Sequence, residues 1–464
     1  MTHGGLKILN QEKNIVIIGC GAGGGTAAQF ARKTNRKATI TVFEKEKYPQ
    51  YSKCGLPYVI SGKIPEITDL VEFSEDRFKK ANIDLYLNTI VEKIDVKNKI
   101  VYAKNDGKTI KKPFDSLIIS TGAKPFIPPI GNVNADGVFG LRKIDDAKNI
   151  LSNIKSGKNA TIVGAGLIGL ETADNLLKKG GKITIVEALP RILANNLDED
   201  MTEIVTRLIP DEIKVLTNHL VVKCETENKK ISKVVIKNNL SGEQKSIDTD
   251  LLILAAGTKP ETSLAKNIGS KIGKTGGIIV NKKCETSIKD VYAVGDCTEF
   301  IDFVTTKPTL VGLGSIVVRQ AIAAGTNAAG GNYELLKGVL NTSTSEFFGL
   351  EIAAVGPTLN TIEKDFSVVT GRFNGASLPE YYPGGKSISV KILVDEYTGM
   401  IMGAQAVGNN AAQRINTFAC AIIGELDVET MRRLETAYAP PVAPTLDPVT
   451  LVCDIVSMKI SRKK

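Results

Sequence analysis

Two stretches of the chain carry the same succession of apolar and polar positions. In the first, the β-branched run Asn14–Ile18 meets a glycine turn, then a helix-like spacing over 26–34, then a second β-branched run over 38–43 that ends in Glu44. In the second, Asn159–Val163 meets a glycine turn, a helix-like spacing over 170–179, then Lys182–Val186 and Glu187. Short apolar runs bounded by glycine, alternating with 3.6-period stretches, predict β-turn-α-β units, here present twice. Residues 111–120 read as a buried strand closing on Ser120-Thr121-Gly122, and 249–255 as one closing on Ala256-Gly257. A further short strand, 291–294, enters Gly295-Asp296. Pro125, Pro128, Pro129 and Gly131 mark a connection, and 325–332 marks an exit. Beyond about 335 the pattern changes to alternating strands (388–394, 400–407), one helix (411–424) and a proline-rich segment. That predicts a third, α+β domain.

Composition narrows the chemistry. At roughly 150 residues per domain, 464 residues suggest about three domains. The chain is 42% hydrophobic and 23% charged, which argues against global disorder. Its seven cysteines are widely spaced and include no C-x-x-C, so neither a disulfide scaffold nor a zinc ribbon is expected, and a reducing, cytoplasmic setting is. There are two histidines, His3 and His219. A His-rich metal site is excluded, and a Ser-His-Asp triad would rest on one unpromising residue. Chemistry must therefore come from a cofactor, a thiol, a tyrosine or a carboxylate. The net charge of +9 is spread along the chain, and only the tail from Ser461 to Lys464 is a basic cluster, so no nucleic-acid partner is expected. No apolar run reaches about 18 residues, so no membrane span is expected.

Gly19-x-Gly21-x-x-Gly24 fits the dinucleotide fingerprint. Its first glycine permits the turn, its second admits a pyrophosphate, and its third lets helix pack on strand. Glu44 follows Gly19 by 25 residues, where a carboxylate accepts from ribose hydroxyls. Gly164-x-Gly166-x-x-Gly169 repeats the arrangement, with Glu187 after 23 residues. One such match is weak; two, each in strand–turn–helix–strand–acid context, point to two dinucleotides, a flavin and a nicotinamide. The negative charge of Glu187 favours NADH over NADPH, with Arg191 close enough to leave NADPH open.

Cys54 lies in Tyr51-Ser52-Lys53-Cys54-Gly55-Leu56-Pro57-Tyr58, ten residues after Glu44. Lys53 brings a positive charge, and a helix opening at Gly55 would add its N-terminal partial charge; both favour a thiolate. A cysteine without such context reads as a small buried hydrophobe.

Together these stretches resemble the pyridine nucleotide–disulfide oxidoreductase superfamily, in the branch that uses one redox cysteine. Coenzyme A disulfide reductases, NADH oxidases and peroxidases, and persulfide or polysulfide reductases belong to that branch. The resemblance rests on both glycine motifs, Ser120-Thr121-Gly122, Gly295-Asp296, the Cys54 stretch and Ala437-Tyr438-Ala439-Pro440-Pro441. It implies an α/β fold with two Rossmann-like dinucleotide-binding domains, for FAD and NAD(P), plus a C-terminal α+β dimerisation domain. The expected boundaries are 1–124 and 249–333 for the FAD domain, 125–248 for the NAD(P) domain and 334–464 for the third. The glutathione-reductase branch carries a C-x-x-x-x-C pair and a C-terminal His-Pro. Here the next cysteine after Cys54 is Cys224, and no histidine follows His219. Oxidases and peroxidases resemble Gly-x-His-Ala-Gly in the first motif, and Gly21 stands at that histidine position.

The resemblance implies that Gly19, Gly21, Gly24, Glu44, Lys45, Lys53, Val91, Ser120, Thr121, Gly122, Arg142, Gly295 and Asp296 contact FAD. It implies that Gly164, Gly166, Ile168, Gly169, Glu187 and Gly257 hold NADH, with Glu171 near the nicotinamide. Positions matching the substrate's nucleotide end are Gln29, Arg32, Arg77 and Arg319, three of them guanidinium partners for phosphates. Tyr438 and one of Tyr381 and Tyr382 match catalytic tyrosines that reach the partner subunit's cysteine and protonate a leaving thiolate. Without that match they read as aromatics packing a dimer core. Cys20 and Cys297 read as packing residues. The expected activity is that of an FAD-dependent, NADH-linked homodimer reducing a coenzyme A disulfide through Cys54. Rivals are a persulfide or polysulfide reductase, an NADH oxidase cycling through a sulfenic acid, and a flavoprotein redox sensor that does not turn over.

Overall fold

A computed structural model describes residues 9–154 and 156–463, so His3 and Lys464 lie outside the described residues. The chain divides into two compact units. The first takes in the chain up to Pro125 together with Thr258–Val339; the second takes in Phe126–Gly257 and everything from Leu340 onward.

The first unit is built on a parallel five-stranded sheet. Its order is Val291–Ala293, Ser116–Ile119, Asn14–Ile18, Thr39–Phe43 and Ile83–Tyr86. Successive residues of a strand point to opposite faces, and the packing follows that period. Ile15, Ile17, Ile40, Val42 and Ile118 pack with alanines of two helices, Ala22–Thr34 and Gly314–Ala328. Val16, Ile18, Leu117, Ile119 and Val291 face the other way, onto Val91, Val101 and Ala103 of an antiparallel sheet. The helices come close because their contact is made of small residues; a methyl on Gly325 would overlap the Ala27 carbonyl.

The second unit repeats this build. Its parallel sheet runs Val138–Gly140, Leu251–Leu254, Asn159–Val163, Lys182–Val186 and Ile213–Leu216. An antiparallel three-stranded sheet over His219–Glu227, Lys230–Asn238 and Gln244–Asp248 again precedes the closing strand. The C-terminal part adds an antiparallel sheet ordered Ser343–Phe347, Leu350–Val355, Ile401–Gly408, Ser387–Asp395 and Val368–Ala376. Helices Ala411–Ile423 and Pro448–Lys463 pack on it. This is the expected class: two Rossmann-like halves and a C-terminal α+β part.

Three expectations shift. The boundary placed at 248/249 falls before the strand Leu251–Leu254, which pairs in parallel with Asn159–Val163 and so lies in the second unit's sheet. Residues 111–120 form two strands: Lys108–Pro113 at the edge of the antiparallel sheet and Ser116–Ile119 in the buried parallel one. Lysines keep the first near solvent, whereas all four residues of the second are buried. Both dinucleotide helices also start earlier than expected, at Ala22 and Leu167, because glycines that read as breakers form their first turns.

A buried ion pair joins the C-terminal sheet to the nucleotide part of the second unit. Lys391 Nζ lies 2.8 Å from Asp198 Oδ2 and 2.7 Å from Asp200 Oδ1. The Lys391 and Asp198 side chains are 7% and 5% exposed, so neither charge is solvated. Asp198 Oδ1 also accepts from Leu359 N–H at 2.8 Å, and Asp198 N–H donates to Gln405 Oε1 at 2.8 Å. Removing one member of such a pair strands the other, at a cost of about 3–5 kcal/mol. Lys391→Met is therefore expected to lower unfolding stability by about 3 kcal/mol in urea titration. Adding Asp198→Asn should restore part of the loss; an unchanged midpoint in the single variant would remove this pair from the stabilising contacts.

Candidate functional site

The two glycine turns are alike in detail. Gly19 and Gly164 have φ of +98° and +106°, the left-handed region glycine favours. A side chain at Gly24 would overlap the Gly19 carbonyl, and one at Gly169 would overlap that of Gly164. So the third glycine of each motif is fixed by the first glycine's backbone. The middle glycines differ: a Cβ on Gly21 or Gly166 would meet nothing within 4 Å. Both are N-cap residues without a side-chain cap. The helix's first N–H groups, which have no intrahelical partner, and its positive end therefore face open space. That space, which a Cβ would fill, fits a pyrophosphate in both units.

The acidic residues repeat as closely. Glu44 Oε2 accepts from Cys20 N–H at 2.5 Å and Oε1 from Glu46 N–H at 2.9 Å. Glu187 Oε2 accepts from Ala165 N–H at 2.6 Å and Oε1 from Leu189 N–H at 2.8 Å. Each carboxylate is thus locked at the end of the second strand beside its glycine turn, where a ribose hydroxyl would approach. Ile168 is 47% exposed on the first turn of its helix, beside the open position at Gly166. Gly257, with φ +98°, likewise has open space at its Cβ position.

The sequence profile of the pyridine nucleotide-disulphide oxidoreductase family matches residues 13–325, and that of its dimerisation domain matches 342–448. The chain belongs to this family. It is an NAD(P)H-dependent flavoprotein oxidoreductase. It is 39% identical to an NADH oxidase of Methanocaldococcus jannaschii, with 97% of this chain and 99% of the relative covered. Identity to an NAD(P)H coenzyme A polysulfide/persulfide reductase of Pyrococcus horikoshii is 33%, over 96% of this chain and 99% of that one. The structure of an NAD-dependent persulfide reductase from A. fulgidus matches with a TM-score of 0.92 at 32% identity, covering 97% of this chain and 84% of that one.

Among the other residues expected at the flavin, Ser120-Thr121-Gly122 is stitched to the segment after Thr258. Thr121 Oγ1 donates to the Glu261 carbonyl at 2.6 Å, and Glu261 N–H donates to the Gly122 carbonyl at 2.9 Å. Gly295, with φ +84°, donates its N–H to Gln320 Oε1 at 2.8 Å, and Asp296 is half-buried beside it. Lys45 is exposed just beyond Glu44. Arg142 N–H donates to Asp146 Oδ2 at 2.9 Å ahead of the helix Ile144–Asn153. The side chain of Val91 is buried in the hydrophobic core, which leaves its backbone for any ligand contact.

Cys54 sits in a 3-10 turn, Lys53–Gly55, directly before the helix Leu56–Ser61; the helix therefore opens one residue later than expected. The thiol is exposed. Burial pushes five other thiols up: Cys297 to about 11, Cys453 to about 12, and Cys20, Cys224 and Cys284 also upward. Cys420 is exposed, on the helix Ala411–Ile423. Cys20 is thus a packing residue, as is Cys297, whose Sγ contacts the Val294 carbonyl at 3.3 Å.

The tyrosines are sorted by a hydrogen bond. Tyr381 and Tyr438 hydroxyls lie 2.7 Å apart, although 57 residues separate them. That hydrogen bond holds the Tyr381 phenol above its usual range. Both rings are exposed; Tyr382 instead turns the loop, donating its N–H to the Pro379 carbonyl at 2.9 Å. His219 is fully engaged. Its Nδ1 faces the Thr217 carbonyl at 2.6 Å and so carries the proton, leaving Nε2 to accept from Asn238 Nδ2 at 3.4 Å.

The substrate-binding expectation fails at Arg32. Its Nε donates to the Ala81 carbonyl at 2.9 Å, Nη2 to Asn82 at 2.7 Å, and Nη1 to Asn35 and Arg36 at 3.3 and 2.7 Å. Four carbonyls hold this guanidinium at the C-terminal end of its helix, the end away from the glycine turn. Gln29 donates to Gln50 Oε1 at 3.2 Å, and Arg77 to the Glu72 carbonyl at 3.2 Å. Arg319 is exposed on the helix Gly314–Ala328.

Sequence reading missed Ser345, whose Oγ donates to Glu171 Oε1 at 2.5 Å across 174 residues of chain. No local signal could have paired them. Burial pushes the Glu171 carboxyl above the usual range, and the Ser345 hydrogen bond partly opposes this. A carboxyl whose folded value is raised stabilises the fold fully below its unfolded value, and that stability is lost as pH rises through the raised folded value. Glu171→Gln is therefore expected to unfold at higher urea than the wild type at pH 7, with the gap closing near pH 4. Equal midpoints at both pH values would contradict the burial cost.

Proposed function

We propose that this enzyme uses NADH, through FAD, to reduce a sulfur–sulfur bond in a coenzyme A-borne substrate, a disulfide or a persulfide, with Cys54 as the single redox thiol. The observation that carries this reading is Cys54 itself, an exposed thiol in the turn after the first nucleotide motif while the thiols at Cys20, Cys224, Cys284, Cys297 and Cys453 are buried. FAD held there would supply the relay of two electrons from NADH to a disulfide. The turns at Gly19, Gly21, Gly24 and Gly164, Gly166, Gly169 would hold the two pyrophosphates, and Glu44 and Glu187 the adenosine riboses.

In the proposed cycle the Cys54 thiolate attacks an incoming disulfide. One S–S bond breaks, a mixed disulfide forms on Cys54, and one thiolate leaves. The leaving thiolate takes a proton from the Tyr381–Tyr438 pair, which in a homodimer serves Cys54 of the partner subunit. Tyr381 is assigned in preference to Tyr382 because its hydroxyl is bonded to that of Tyr438. Gln29, Arg77 and Arg319 remain as contacts for the nucleotide end of the substrate. Exposed Tyr381, Tyr438, Val442 and Leu446 lie on the segment matched by the dimerisation profile or next to it, as a homodimer requires.

An NADH oxidase is the second reading, favoured by the 39% identity to the Methanocaldococcus jannaschii protein of that name. Against it stands Gly21, at the position where the resemblance implies a histidine in oxidases. A steady-state panel with NADH separates the two. Coenzyme A disulfide or persulfide should support turnover that Cys54→Ser lowers at least about 1,000-fold, as expected for loss of a nucleophile. NADH consumption with oxygen alone, faster than with any sulfur substrate and unchanged by Cys54→Ser, would overturn the sulfur reading. Tyr381→Phe and Tyr438→Phe should each reduce turnover about 10- to 100-fold with little change in the NADH-driven bleaching of the flavin. Equal loss in both half-reactions would contradict their proposed role.

A further inference from the structure

Two residues beyond Glu44, a carboxylate is placed between the nucleotide turn and the cysteine turn. Glu46 N–H donates to Glu44 Oε1 at 2.9 Å, so its backbone is fixed by the carboxylate that closes the glycine turn. Its carbonyl accepts from Asn88 N–H at 3.1 Å. Its side chain reaches the other way. Glu46 Oε2 accepts from the Tyr51 hydroxyl at 2.7 Å, and Oε1 lies 4.0 Å from Lys53 Nζ. Tyr51 is 4% exposed, so the phenol that holds Glu46 is itself buried. Lys53 directly precedes Cys54 in the 3-10 turn, and its ammonium also lies 5.8 Å from the centre of the Tyr51 ring.

We infer that Glu46 is a positioning residue for the redox cysteine, holding the Lys53 ammonium and restraining thiolate formation at Cys54. The inference rests on Cys54 being the reacting thiol. Charge beside a thiol sets the fraction present as thiolate: a neighbouring cation raises it and a carboxylate lowers it. Glu46 would act in the second direction by pairing with Lys53, the cation next to Cys54 in sequence. The restraint has a chemical use. A thiolate that forms too readily is a poor nucleophile and a good leaving group, and attack is fastest when the thiol titrates near ambient pH. Charged side chains on the segments packed against this turn include Lys63, Glu66, Asp69 and, on the strand Val71–Phe73 paired with Gln50–Tyr51, the exposed Glu72. Lys63 stacks over Tyr58, while Glu66 and Asp69 cap their own short turn. Glu46, held by Tyr51, places its carboxylate 4.0 Å from the Lys53 ammonium.

The test reads the thiol without turnover. FAD-loaded protein carrying Cys420→Ser is alkylated with iodoacetamide between pH 5.5 and 9, and the Cys54 peptide is followed by mass spectrometry. Glu46→Gln should raise the alkylation rate at pH 6.5 roughly 3- to 10-fold, as expected for removal of one nearby charge, with the high-pH plateau unchanged. Lys53→Met should slow it at pH 6.5, and in that background Glu46→Gln should have a clearly smaller effect, because the coupling runs through Lys53. Glu46→Ala carries the same expectation as Glu46→Gln, so failure of one variant to fold leaves the other decisive; retained flavin absorbance reports folding. A rate at pH 6.5 that is unchanged or slower in the Glu46 variants would overturn the inference, as would an equal effect with and without Lys53. Loss of disulfide turnover in Cys54→Ser tests the function separately, so the two can fail independently.

Discussion

Each nucleotide unit depends on one close approach. For the helix to begin where the strand ends, the carbonyl of the first glycine must occupy the space a side chain would need at the third. Only backbone fits on both sides of that contact, and the left-handed φ of Gly19 and Gly164 bends the chain into it. The helix start is thereby aimed out of the sheet, with its free N–H groups forward. A carboxylate at the end of the next strand then binds the residue after the first glycine, locking turn to strand. The identity of this geometry in both units is the strongest structural sign that the chain is a duplicated nucleotide binder. It also explains why Gly21 and Gly166 are glycines although nothing around them demands it: their missing side chains are the space itself.

What was legible in the sequence was what is local. The glycine spacing, the acids and the β-branched runs of the two repeats all act within about 25 residues, and they form the strand–turn–helix–strand units that the spacing predicts. The boundary error near 249 has a physical origin: Leu251–Leu254 is a buried apolar run much like Ser116–Ile119, and only pairing with Asn159–Val163 assigns it to the second sheet. Arg32 failed for a related reason. Spacing puts it on the nucleotide helix, but its destination is set by carbonyls of Ala81 and Asn82 about fifty residues away. The guanidinium there is engaged by the carbonyls of Asn35 and Arg36, just past the helix end, as well as by Ala81 and Asn82.

The long-range pairs carry what sequence could not decide. Tyr381 and Tyr382 are neighbours of the same chemistry, so no composition or motif distinguishes them. The loop between two strands sends one hydroxyl to Tyr438 and uses the other residue's backbone to close a turn. Glu171 and Ser345 likewise meet because the C-terminal sheet packs against the nucleotide helix within one unit.

The scarcity of histidine now has a structural counterpart. His219, the one described histidine, has both ring nitrogens occupied by a carbonyl and an amide. A single phenol is a weak acid near neutrality and a modest proton donor to a thiolate. Two phenols in a hydrogen bond behave differently, since the one that donates becomes a better acceptor at its own oxygen, and the one that accepts becomes a stronger donor through its own proton. A Tyr381–Tyr438 pair can therefore deliver a proton from one hydroxyl while the other stabilises the oxygen left behind. Such a pair needs no group titrating near neutral pH. In the proposed cycle the pH sensitivity then falls on the Cys54 thiol, and so on the Lys53–Glu46 pair that precedes it.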